Sequence, residues 1–285
     1  MVSGYYGFAN LGDEAILAAL ARDLLSLGID RKDIVVLSAN SEQTEADHGV
    51  RALPRYELKQ IWHTLGSTNL LVSGGGSLLQ DVTSKRSIPY YLGVVEMALL
   101  RKVPVVMYGQ GLGPIQSKVL KTWVKRAFQK SHACSVRDSA SLQFLSDLGV
   151  PREKITLAAD PVFQQEPAVN VGQNSRRLLL NVRRYDKWYE QQSLWVEHLT
   201  HWQEQGFHIE FIPIGPGDRE IGEALQGQFP KLLIHPYLTL ANYAQVFQSA
   251  RLCISMRLHG LIFSALNDCL PIGLNYDPKV QAIST

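Results

Sequence analysis

Leu252-Cys253-Ile254-Ser255-Met256-Arg257-Leu258-His259-Gly260-Leu261-Ile262 is the stretch on which the reading of the fold turns. The apolar run Leu252 to Met256 stops there, and a helix-like pattern through Leu261, Ile262, Ala265 and Leu266 begins. Arg257 and His259 therefore fall on a strand-to-helix turn, where α/β proteins bind their ligands. Free N–H groups and the positive helix end favour an anion at such a turn. Arg257 adds a rigid fork of donors, and His259 adds a group that titrates near neutral pH. The stretch thus reads as anion binding beside proton transfer. Its plain alternative is an arginine paired with a structural carboxylate and a histidine at a helix start.

Outward from this turn the rest of the chain repeats the pattern. Short apolar runs at Ile34–Leu37, Leu70–Ser73, Val103–Tyr108 and Ala133–Val136 alternate with helical segments, and strand signals resume at Leu178–Val182, Ile209–Ile214 and Pro271–Leu274. Helices are expected around Asp186–Gln205, Asp218–Gln228 and Leu240–Gln248. This is the alternation of parallel α/β domains. Asp160-Pro161 closes the first half, and the polar segment Gln164–Ser175 reads as a linker. The expected architecture is two Rossmann-like domains facing a cleft, an N-terminal one over residues 1–165 and a C-terminal one over 166–285. The pattern ends without a closing helix, which reads as a shortened chain.

The chain of 285 residues is 46% hydrophobic and 19% charged, the composition of a soluble globular protein. A formal charge of +2 gives no footprint for nucleic acid. Cys134, Cys253 and Cys269 are odd in number, far apart and set in or beside apolar runs, so they read as reduced core thiols of a cytoplasmic protein. The metal-ligand spacings CxxC and HExxH do not occur, nor does an 18-residue apolar run or a basic-then-apolar leader. Neither a resident metal nor a membrane span is expected.

Three strands end in glycine-rich loops: Gly4-Tyr5-Tyr6-Gly7-Phe8-Ala9-Asn10-Leu11-Gly12-Asp13-Glu14, Gly74-Gly75-Gly76-Ser77 and Gly109-Gln110-Gly111-Leu112-Gly113-Pro114. A fourth strand ends in Arg137-Asp138. In a parallel sheet these ends share one edge, where glycine lets a ligand approach the backbone. The glycines are not spaced as GxGxxG, which disfavours a dinucleotide. The first strand reads as very short, Met1 to Ser3. Asp13 is either a helix cap or a base facing the crevice. Arg183-Arg184 follows the first strand of the second half and is either a cleft or a surface pair. The basic segment Pro114–Ser131, with Lys118, Lys121, Lys125, Arg126 and Lys130, reads as a solvated face over a buried stripe; contact with an anionic membrane surface is the sharper alternative.

Taken together, Gly4–Gly7 leading to Asn10–Glu14, Gly74–Gly76, Gln110–Pro114, Val136-Arg137-Asp138, Met256–Gly260 and Asn275-Tyr276-Asp277-Pro278-Lys279 resemble the polysaccharide pyruvyltransferases of the CsaB type, over nearly the whole chain. The resemblance implies a glycosyltransferase-B-like fold and transfer of pyruvate from phosphoenolpyruvate to a sugar as a cyclic ketal. The implied acceptor is a β-linked N-acetylmannosamine on a lipid-linked cell-wall precursor, met in the cytoplasm or at the inner face of the membrane. Residue by residue it implies Arg137, Arg257, His259 and Lys279 on the donor side and the loop with Asn10, Asp13 and Glu14 on the acceptor side. The residues themselves add Leu258 to the donor side and Tyr5, Tyr6, Gly75, Gly76, Gln110 and Arg183 to the acceptor side, with His259 as proton donor and Asp13 as the likelier base. Phosphoenolpyruvate enters as a substrate, and no cofactor is required. Two readings compete: a nucleotide-sugar glycosyltransferase of the same fold, with Arg257 and Lys279 on a diphosphate, and a saccharide-binding protein without turnover.

Overall fold

The alternating apolar runs form two parallel sheets in the computed structural model, which describes residues 1–81, 86–165 and 175–274. By contacts the chain divides into two units: Met1–Phe8 with Asp13–Val162, and Ala9–Gly12 with Phe163–Thr285. The expected boundary at 165 lies three residues beyond this division, and the short segment Ala9–Gly12 groups with the second unit.

The described strands of the first unit are β1 (Val2–Tyr6), β2 (Val35–Ser38), β3 (Arg51–Pro54), β4 (Leu71–Ser73), β5 (Gly76–Leu79), β6 (Val105–Leu112), β7 (Ala133–Val136) and β8 (Ile155–Leu157). Its helices are α1 (Leu11–Ser26), α2 (Ser41–His48), α3 (Leu58–Leu65), α4 (Ser87–Leu100), α5 (Lys118–Lys130) and α6 (Ser139–Asp147). The sheet runs β3-β2-β1-β4-β6-β7-β8, and β5 also pairs with β6. Neighbouring residues of one strand serve opposite faces. Leu37, Leu71, Val105 and Met107 join a core with residues of α3, α4, α5 and α6, whereas Val36, Val72 and Val2 join a second core with Leu17, Leu20 and Leu24 of α1. Burial on both faces is why these strands read as unbroken apolar runs.

In the second unit the strands are β9 (Arg177–Asn181), β10 (His208–Phe211), β11 (Leu233–Ile234), β12 (Leu252–Ser255) and β13 (Leu270–Gly273), in the order β11-β10-β9-β12-β13. The helices are α7 (Gln192–Glu204), α8 (Asp218–Gln228), α9 (Tyr243–Gln248) and α10 (Leu258–Leu266). Every pairing among the described strands is parallel, so within each sheet the carboxyl ends share one edge. Cys134, Cys253 and Cys269 are free and buried. Burial pushes the Cys269 thiol up to about 12, so it stays a neutral core group.

Three local expectations need correction. The first strand runs to Tyr6 rather than stopping at Ser3, because it pairs on both sides, with β2 through Tyr6 and with β4. The stretch Gly109–Leu112 is the second half of β6 and not a loop, since β5 and β7 both pair there. Gly74 and Gly75 are the break between β4 and β5, two short strands that pair with the same β6, and no helix follows them.

Candidate active site

At the carboxyl edge of the second sheet, Arg257 is the N-cap of α10 and has extended backbone (φ −100°, ψ 132°). Ser255 Oγ accepts from Arg257 N at 3.0 Å and donates to Arg257 O, which fixes the turn out of β12. Gly260 is required here, because a Cβ on it would lie 2.3 Å from that same Ser255 Oγ. The guanidinium pairs with Asp218 through two parallel bonds, Nε to Oδ2 at 2.7 Å and Nη2 to Oδ1 at 2.6 Å. Asp218 is fully buried, and its Oδ2 also accepts from Asn181 Nδ2, Ile214 N and Gly215 N. Five donors converge on one carboxylate, so Arg257 is oriented by a rigid anchor. The guanidinium lies against Gly215, where a Cβ would come within 2.7 Å of Cζ. The plain alternative of an arginine paired with a structural carboxylate therefore describes this side chain, whose Nη2 also donates to Pro216 O at 3.3 Å.

Leu258 and His259 open α10 and are half-buried. The His259 ring stands 6.2 Å from Phe263 and packs on Gly12, where an added Cβ would meet Nδ1 at 2.0 Å. In the same unit Leu11 N donates to Ile214 O at 2.9 Å, so Ala9–Gly12 lies along the edge that carries Arg257 and His259. Arg183 follows β9 by two residues and is half-buried. Lys279 lies outside the described residues.

Within Ala9–Gly12, Asn10 Oδ1 accepts from Gly12 N at 3.2 Å, and α1 begins at Leu11 and continues from Asp13 in the first unit. Asp13 is thus the third helical residue and not the cap; it is 8% exposed, its charge suits the helix N-terminus, and its Oδ1 would lie 2.9 Å from a Cβ on Gly76. Glu14 is held at both oxygens: Oε1 accepts from Gly7 N at 2.8 Å and Oε2 pairs with buried His48 at 2.9 Å. Glu14 therefore fixes the loop rather than facing an acceptor. Gly7, at φ +76°, passes so close to β2 that a Cβ would lie 2.2 Å from Ser38 Oγ.

Two further acceptor-side expectations are corrected by burial. Tyr6 is fully buried, its ring against Gly4 and its hydroxyl over Gly74, and burial followed by the charges of Asp13 and Glu14 holds the phenol well above its ordinary range. Gln110 is fully buried, with Nε2 donating to Ser73 O at 3.0 Å and to Gly74 O, so it ties β6 to β4. Gly75 is also buried, and a Cβ there would be tight, 3.1 Å from both Gly109 O and Ile16 Cγ2. Tyr5 is half-buried and stacks on Phe8 at 4.1 Å between ring centroids and 8° between planes. Arg137 at the end of β7 donates to Asp160 at 2.7 Å and to Ser77 Oγ at 2.8 Å, and its side chain is 4% exposed. Gly111 accommodates it, since a Cβ there would meet Nε at 2.7 Å.

A sequence profile of the polysaccharide pyruvyl transferase family matches residues 10–278. The chain belongs to this family of transferases. The amylovoran biosynthesis protein AmsJ of Erwinia amylovora is 29% identical over 112 residues, 39% of this chain. The match spans only 26% of that protein's length. Among solved structures, a putative UDP-N-acetylglucosamine 2-epimerase from Listeria monocytogenes aligns with TM-score 0.68 and 10% identity, covering 99% of this chain and 81% of that one. The UDP-GlcNAc 2-epimerase from Neisseria meningitidis bound to UDP-GlcNAc gives 0.67 and 14%, covering 99% and 85%. At such identities the likeness shows the fold alone, a glycosyltransferase-B-like pair of Rossmann-like domains.

For this family member, sequence reasoning missed the carboxylates that hold its arginines. Asp218 follows Gly215-Pro216-Gly217 at the end of a strand, the same glycine-then-helix signal that drew attention elsewhere. Asp160 stood in view as a domain-end residue, and its tie to Arg137 spans 23 residues of chain with no local pattern to reveal it. Asn181, buried and bonded to Asp218, Ser255 and Ile212 O, carries no motif at all.

Proposed function

We propose that this chain transfers the pyruvyl group of phosphoenolpyruvate to a saccharide as a cyclic ketal with release of phosphate. The observation that carries the reading is the family match over residues 10–278 together with Arg257 and His259 on the first turn of α10. In the balanced reaction two hydroxyls of one sugar add to C2 of the enol ester. One of their protons ends on C3, which becomes a methyl group, and the other leaves with phosphate.

Each requirement has a residue of this chain to serve it. The donor carries a carboxylate and a phosphate, and Arg257, the N-terminus of α10 and Lys279 supply positive charge toward it. Arg137, committed to Asp160 and Ser77, is an oriented rather than a free cation, and the family resemblance assigns it to the donor. A dianionic donor favours the protonated imidazole of His259, which delivers the proton to C3 or to the leaving phosphate. Asp13 takes the proton of the attacking hydroxyl. The chemistry asks for proton transfer and anion stabilisation, which side chains supply, and the transfer is read as free of cofactor.

The finer reading takes the acceptor as a lipid-linked cell-wall saccharide with β-linked N-acetylmannosamine, and assigns Tyr5, Asn10 and Arg183 to its recognition. Peripheral contact with the inner membrane surface would use the exposed lysines of α5. Among the described residues no helix is long and apolar enough to cross a membrane. The test is phosphate release from phosphoenolpyruvate over a panel of saccharide acceptors, with mass analysis of the products. Acceptor-dependent release with a pyruvylated product is expected. Release of a nucleoside diphosphate from a nucleotide sugar, with phosphoenolpyruvate untouched, would replace the reading.

A further inference from the structure

Arg55 is buried, at 4% exposure, and sits just past the carboxyl end of β3. Its guanidinium is surrounded by rings: Cζ lies 4.2 Å from the centroid of Tyr90, 4.9 Å from Phe8, and 5.3 Å from both Tyr56 and Tyr91. Nη1 donates to Gly4 O at 3.3 Å and Nη2 to Tyr91 Oη at 3.2 Å, while buried Nε has no hydrogen-bond partner. Among the described residues no carboxylate pairs with it. This sets it apart from Arg137 and Arg257, each neutralised by a buried aspartate.

Aromatic faces and a carbonyl compensate a buried cation only in part, and a structural role alone would be met at lower cost by a neutral side chain of similar size. The uncompensated charge lies against Gly4 of β1 and Phe8 just beyond that strand. Three of these rings, extended by Tyr5 stacked on Phe8, present a wall in which Tyr90 is half-buried and Tyr56 is 70% exposed. Flat ring faces suit the apolar faces of a sugar, and a positive charge held in a low-dielectric surround acts strongly on an anion brought against that wall.

We infer that Arg55 is a specificity-determining residue of the acceptor side, and that the Tyr5-Phe8-Tyr56-Tyr90 wall takes a saccharide bearing an anionic group, either a sugar carboxylate or a phosphate. The inference rests on the acceptor being a saccharide, as proposed above, and is independent of pyruvyl transfer. It is tested by binding to the whole chain without phosphoenolpyruvate, comparing methyl β-glucuronide with methyl β-glucoside and glucose 1-phosphate with glucose. At least one anionic probe is expected to bind about tenfold tighter than its neutral partner, and which one does so identifies the carboxylate or the phosphate as the source of the charge. In Arg55→Met that preference should fall to near unity with neutral binding retained, and in Arg55→Lys it should persist. The buried Nε–H of Arg55 gives a second reading in the unaltered protein, since its nitrogen-15 correlated signal should shift with the preferred anionic probe and stay with the neutral one. Absence of any preference in the unaltered protein, its survival in Arg55→Met, or an unmoved Nε–H signal would overturn the inference. Pyruvyl transfer, read by phosphate release, would stand or fall separately.

Discussion

At the scale of single residues the site depends on groups that hold other groups. Gly12 and His259 are such a pair, since any Cβ on Gly12 overlaps the imidazole and the ring must turn away. Gly12→Ala should therefore lower turnover by about 10²–10⁴-fold, the range for a positioned acid–base group. His259→Ala should do the same, and the double variant should lose little beyond either single one. Full multiplication of the two losses in steady-state kinetics would show that Gly12 acts elsewhere. The Arg257–Asp218 pair makes a prediction about stability. Arg257→Ala leaves a fully buried carboxylate without its cation, a change that typically costs about 3–5 kcal/mol. Asp218 keeps bonds from Asn181, Ile214 N and Gly215 N, so the lower end is expected by equilibrium denaturation. A loss near zero would mean that the pair contributes orientation only.

Elements add a pH dependence away from the site. Glu210 of β10 receives Arg177 at the start of β9, through bonds of 2.6 Å to each oxygen, and His235 beyond β11 at 2.6 Å. Burial alone would raise its carboxyl, but the hydrogen bonds from Arg177 and His235 outweigh it and hold the group at about 2. A carboxyl lowered in the folded state contributes stability that is fully present above its ordinary value of 4.5 and is lost as pH falls toward 2. Glu210→Gln should be less stable at neutral pH and show a shallower loss across that window, with the two proteins converging at the acid end. Parallel stability curves for the two proteins would contradict this. Elements were legible in the sequence where periodicity is strong: β2, β4, β7, β9, β12 and α8 fall within a residue or two of expectation. β3, β8 and β11 were not seen, because Arg51–Pro54, Ile155–Leu157 and Leu233–Ile234 are two to four residues long and partly exposed, too short for a period to register. Gly109–Leu112 was read as a loop from its glycines, although those glycines serve the close approach of Arg137 and Pro161 to a strand.

At the scale of the whole molecule, the family match over residues 10–278 takes in parts of both units. Arg257, His259 and Gly260 lie on the strand-to-helix turn that their spacing indicated. What the motifs did not convey was which residues are committed inward. Tyr6, Gln110 and Glu14 look like ligand groups because they stand among glycines at strand ends, yet each serves packing or the loop. Arg55 shows the reverse: nothing local marks it, and its significance comes from rings supplied by three separate segments. The central claim, pyruvyl transfer from phosphoenolpyruvate to a saccharide, is tested most directly by following phosphoenolpyruvate labelled with carbon-13 at C3 by NMR in the presence of the protein and saccharide acceptors. The account predicts that the enol methylene signal is replaced by a ketal methyl signal attached to the acceptor, together with inorganic phosphate and only when acceptor is present. An unchanged methylene signal across the acceptor panel, while a nucleotide sugar is consumed under the same conditions, would contradict it.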